Sequence, residues 1–114
     1  MRIFAAIAAA AVLGMAGAAS ADTMENSFGN TITVTTADGH NIIYLVNADH
    51  SYAMNAGDTH VNGTWAVKGD QVCLTPQGGQ ETCTPYDASR NVGDTWTQTG
   101  SDGAQITIKI TAGR

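Results

Sequence analysis

Proline is almost missing from this 114-residue chain, with two residues, and so are phenylalanine, tryptophan and cysteine, with two each; only 13% of residues are charged. Five lysines and arginines stand against ten acidic residues. That shortage of cations excludes binding to nucleic acid or to an anionic membrane surface, since both need clustered positive charge. Leucine is nearly gone from residues 22–114, where Leu45 and Leu74 stand alone, which speaks against helical packing. Long hydrophobic runs are lacking too, save one at the start. Residues 3–19 carry no charge, follow Arg2, and lead to Ala19-Ser20-Ala21 ahead of Asp22. A basic start, an apolar middle and a small-x-small end predict a signal peptide cleaved after Ala21. The protein is then periplasmic or secreted, with no stable membrane anchor after cleavage and a net charge of about −6 once Arg2 is removed. The expected organisation is a signal peptide over 1–21, an N-terminal extension over 22–30 and a β domain over 31–114.

Threonine, isoleucine and valine fill the space left by the missing residue types. Their branched side chains favour pleated strands. Thr31-Ile32-Thr33-Val34-Thr35 and Gln105-Ile106-Thr107-Ile108-Lys109-Ile110 alternate with period two, so each buries one face. Ile42-Ile43-Tyr44-Leu45-Val46 is a denser run, suited to a central strand or a barrel wall. Asn, Asp and Gly clusters at 37–39, 47–49, 55–58, 69–70, 78–79, 87–89 and 101–103 mark turns. Strands are predicted near 31–36, 40–46, 50–54, 59–67, 70–75, 81–86, 94–99 and 104–111. The fold class is all-β: about eight short antiparallel strands in an up-and-down meander, closed as a small barrel or folded as a two-layer sandwich. Trp65 and Trp96 each precede a Gly/Asp turn and an alternating strand, and each is expected to fill or cap the core. A core filled by its own side chains is expected, although eight strands can enclose one small ligand. Residues 22–30 show no period and read as a mobile leader or an edge segment with Phe28 tucked inward.

Cys73 and Cys83 are expected to form a disulfide. Export places them where thiols oxidise, and Gly78-Gly79 between them turns a hairpin that sets the sulfurs opposite each other. C-x9-C is not the spacing of a zinc or redox site.

Few residues offer chemistry. Asp38, Asp58, Asp70, Asp94 and Asp102 all adjoin glycines, the usual place of a turn carboxylate, and nothing marks a converging acid–base pair. His40, His50 and His60 recur at the period of a hairpin meander, so His40 and His60 belong at one end of the sheet and His50 at the other. His40 and His60 are the candidate metal ligands, on condition that their side chains face each other. The serines lack a nucleophile elbow, and no glycine-rich loop opens a helix. The chain is therefore expected to be no enzyme and to carry no cofactor.

Residues 62–74, Asn-Gly-Thr-Trp-Ala-Val-Lys-Gly-Asp-Gln-Val-Cys-Leu, resemble the G-x-W hairpin of small secreted calycin-like and lipocalin-like barrels. They are also similar to the tryptophan–turn–cysteine segment of periplasmic inhibitors of bacterial metalloproteases. The whole resembles the small exported β-barrel proteins of Gram-negative bacteria. The inhibitor resemblance implies a barrel whose N-terminal residues enter a protease cleft, which makes Asp22, Thr23, Met24, Glu25 and Asn26 candidate binding residues. The expected role is binding or structural, with two alternatives: a periplasmic protease inhibitor acting through its mature N-terminus, or a carrier of a small apolar ligand.

Overall fold

Strands that bury one face gain most by pairing edge to edge around a shared interior. The computed structural model describes residues 22–114, so the expected signal peptide lies outside the described residues. Eight strands form one antiparallel sheet: β1 (Thr31–Thr35), β2 (Asn41–Val46), β3 (Ser51–Ala56), β4 (Thr59–Lys68), β5 (Gln71–Pro76), β6 (Thr82–Pro85), β7 (Thr95–Thr99) and β8 (Gln105–Thr111). Their order is β6-β5-β4-β3-β2-β1-β8-β7. Six strands thus meander, and the final hairpin swings back so that β8 pairs with β1, setting Ile32 opposite Ile110 and Val34 opposite Ile108. The sheet is a nearly closed barrel. Of the two shapes the sequence allowed, closure removes every strand edge except two, β6 and β7.

Turn chemistry sets the registers. The β3–β4 and β4–β5 hairpins have two-residue loops, Gly57-Asp58 and Gly69-Asp70, with Ala56 opposite Thr59 and Lys68 opposite Gln71. Their glycines alone take positive φ, +62° and +63°, the type II′ pattern that matches strand twist. The β5–β6 hairpin turns where the sequence placed it, with the Gly79 amide donating to the Pro76 carbonyl at 2.9 Å. Cys73 and Cys83 face each other across it, Cα atoms 4.0 Å apart and sulfurs bonded. Val72 and Leu74 line the interior, so alternation turns Cys73 outward. It is nonetheless only 1% exposed. The Glu81 carboxylate lies within 4.8 Å of both sulfurs, and Lys68 Nζ meets Glu81 at 2.7 Å.

One end of the barrel is closed by a short helix, α1 (Thr23–Ser27). The N-terminal extension is therefore neither a mobile leader nor an edge strand. Asp22 and Glu25 form a capping box that satisfies the first amides. Met24 is buried with Val46, Tyr52 and Trp65, and Phe28, one turn on, packs against them. The connection between β6 and β7 ties the helix down. Tyr86 Oη accepts from the Met24 amide at 3.1 Å, Thr23 Oγ1 donates to the Asp87 carbonyl and accepts from the Arg90 amide, and Asn26 Nδ2 donates to the Arg90 carbonyl at 2.9 Å. At the same end Arg114 donates to the Asn30 and Val46 carbonyls and to Asn47 Oδ1.

Candidate ligand cavity

Inward positions follow from the period of two. They include Ile32 and Val34 of β1, Ile42, Tyr44 and Val46 of β2, Val72 and Leu74 of β5, and Ile106 and Ile108 of β8. β6 and β7 bring smaller or polar groups to the same wall: Thr82, Thr84 and Gln98, with Trp96 beside them. The large buried side chains gather near α1, and threonines cannot fill the space above them. The interior is consequently not filled by its own side chains, contrary to the expectation from composition. A cavity of about 420 Å³ runs from Thr23 and Met24 at its floor to Thr36, Pro76 and the Gly100-Ser101-Asp102 turn at its mouth. That volume lies in the range of small-molecule sites.

The seam between β6 and β7 forms part of the wall. Among the described residues no backbone hydrogen bond joins the two strands. Gln98 bridges them instead: its Nε2 donates to the Pro85 carbonyl at 2.7 Å, and its Oε1 accepts from Trp96 Nε1 at 2.9 Å. Arg90 sits over the Trp96 ring, 4.8 Å from its centroid, while donating to Asp87 at 2.8 Å.

Charge is sparse along the lining: Asp87 and Asp102, with no lysine, arginine or histidine. Hydrogen bonds from Ser89 and the neighbouring Arg90 hold the Asp87 carboxyl below the usual range. Three tyrosines line the cavity, Tyr44, Tyr52 and Tyr86, and burial pushes each phenol upward. The Tyr86 hydroxyl is occupied by the Met24 amide.

The histidines lie where their ten-residue spacing puts them, His40 and His60 at the mouth and His50 at the closed end, and among the described residues none of them belongs to a group of three or more side chains placed to share a metal ion. Tyr52 pairs with Gly63 and Met54 with Val61, so the odd positions of β4 face inward and His60 faces out. There its ring bonds Asn55 Oδ1, while His40 sits 3.5 Å from Asp38 in the β1–β2 turn. Among the described residues the one cluster close enough to hold a metal is Cys73, Glu81 and Cys83, whose sulfurs are bonded to each other. Of the aspartates beside glycines, Asp94 and Asp102 accept from the amides of Asn91 and Ala104 as turn carboxylates do, and Asp49 and Asp87, which have no glycine neighbour, accept in the same way from the amides of Ser51 and Ser89. Of the candidate binding residues, Thr23 and Met24 are buried in the floor, while Glu25 is exposed and caps the helix.

Other important positions gave little sign of themselves. His50 stacks on Trp65 with centroids 4.1 Å apart and bonds the Trp65 carbonyl through Nδ1 at 3.0 Å. A clue to the floor does exist: Asp22-x-x-Glu25 is a capping pattern, and Met24 and Phe28 are four apart, on one helix face. No protein-family model, no curated protein and no solved structure matches the chain. The cavity itself carries the functional argument.

Proposed function

We infer that this is an exported, non-enzymatic carrier that holds one small apolar molecule inside its barrel. The observation that carries the reading is the apolar cavity of about 420 Å³ above a floor sealed by α1. A concave apolar space of that size takes up an apolar guest favourably, because guest and wall leave water together. Export rests on the signal-like residues 1–21 and agrees with the Cys73–Cys83 disulfide. The absence of catalysis rests on the sequence, which offers neither an activated nucleophile nor a carboxylate pair. The inhibitor alternative asks residues 22–26 to leave the barrel floor, at the cost of burying Met24 and Thr23 elsewhere and of the bonds to Tyr86, Asp87 and Arg90.

Native mass spectrometry of protein recovered from the periplasm is the test. The expected spectrum shows the disulfide-bonded chain plus an adduct that organic extraction removes, and the extracted protein takes up the neutral dye N-phenyl-1-naphthylamine with enhanced fluorescence. A bare chain that also takes up no dye overturns the reading.

A further inference from the structure

Among the described residues, two phenol hydroxyls of the cavity wall have no protein partner. Tyr44 and Tyr52 lie against each other on neighbouring strands, rings 6.2 Å apart and tilted by 46°. Both line the cavity, and Tyr52 is only 5% exposed. Among the described residues neither hydroxyl makes a hydrogen bond to protein, unlike Tyr86 Oη nearby. A buried hydroxyl without a partner is costly, and buried polar groups almost always find one. Burial raises both phenols, so they stay protonated and able to donate at any physiological pH. The remaining wall limits the charge of the guest. Its ionisable groups besides the tyrosines are Asp102 and Asp87, the latter paired with Arg90, and no cation lines the cavity to receive an anion.

Resting on the carrier reading above, we propose that the guest is an uncharged apolar molecule bearing a hydrogen-bond acceptor of the carbonyl type, a ketone, quinone, ester or amide, whose oxygen accepts from the Tyr44 and Tyr52 hydroxyls. A simple hydrocarbon brings neither phenol an acceptor. A fatty carboxylate brings a negative charge into an apolar space already edged with carboxylates.

The test competes 2-decanone, decane and decanoate against N-phenyl-1-naphthylamine on the purified, disulfide-bonded protein. The expected result is that 2-decanone displaces the dye at about fivefold lower concentration than decane, the worth of a net hydrogen bond, and at about tenfold lower concentration than decanoate. Infrared spectra of bound 2-decanone show its carbonyl stretch moved to lower frequency. In Tyr44→Phe/Tyr52→Phe both the advantage of the ketone over decane and the frequency shift disappear. Decanoate binding as tightly as the ketone overturns the proposal, and so does a ketone advantage that survives in the double variant. Should the double variant fail to fold, an unshifted carbonyl stretch in the unaltered protein overturns it equally. If none of the three molecules displaces the dye and none binds directly, the carrier reading itself fails, which is a different result from a change in their ranking.

Discussion

At Gly63 a single hydrogen decides whether β4 can pass. A Cβ built there would lie 2.2 Å from the Thr75 carbonyl oxygen, 2.8 Å from Tyr52 Cε1 and 2.9 Å from Pro76 Cα. Two of those neighbours are backbone, which cannot swing aside. Gly63→Ala is therefore expected to destabilise the protein by about 2 kcal/mol, read as a lower urea midpoint, and to weaken dye uptake because Tyr52 must move. Two residues on, Trp65 packs in the core, stacks on His50 and donates from Nε1 to the Asn47 carbonyl at 3.1 Å. His50 holds φ at +69°, the one non-glycine residue with positive φ among those described. Trp65→Phe removes the donor and part of the stacked area, and its expected cost is about 2 kcal/mol in the same measurement. The sequence announced Trp65 as a core residue but not the histidine beside it. A ten-residue spacing gives the end of the barrel on which His50 lies, whereas the stack depends on a left-handed backbone position at His50 that no neighbouring glycine signals.

Strands and helix differ in how openly the sequence declares them. β1 and β8 alternate strictly and lie where the alternation puts them, and the Asn, Asp and Gly clusters sit at the hairpin turns, save that at 87–89, which lies in the connection between the unpaired β6 and β7. α1 is five residues long, too short for any period to emerge, so only its Asp22–Glu25 capping pair and the spacing of Met24 and Phe28 mark it. The cavity was harder still to foresee. Its existence depends on threonines of β6 sharing one interior with isoleucines of β1, β2 and β8, a relation set by closure and not by any local pattern. β6 is the element with least support: four residues, one paired neighbour, and the disulfide to β5. Replacing Cys73 and Cys83 by alanine is expected to cost roughly 2–3 kcal/mol on the chain-entropy account. Hydrogen exchange should then rise most in residues 82–85, ahead of β1 and β8.

For the whole molecule, an unfilled interior is a reserve of stability. Ile106→Phe places a ring in the space a guest would occupy, and is expected to raise the urea midpoint, by about 1 kcal/mol, while abolishing dye uptake. Loss of uptake together with lost stability would mean a damaged wall instead. Acid and alkali act on opposite sets of groups. Asp38, Asp49 and Asp87 titrate below the usual carboxylate value because of hydrogen bonds from Thr36, Ser51 and Ser89. Their support is present above the unfolded value near about 4 and fades as pH falls below it. Tyr44, Tyr52 and Tyr86 are raised, so their support is intact below about 10 and fades as pH climbs beyond it, when the unfolded chain ionises first. Denaturation midpoints against pH should thus form a plateau with a fall on each side.

Seven of the eight junctions around this wall are ladders of main-chain bonds, and the eighth is the amide of one glutamine. Releasing Gln98 from Pro85 gives up on the order of 1 kcal/mol, far less than unzipping any ladder, so the wall is expected to part first along this clasp, while the disulfide keeps β6 anchored to its neighbour.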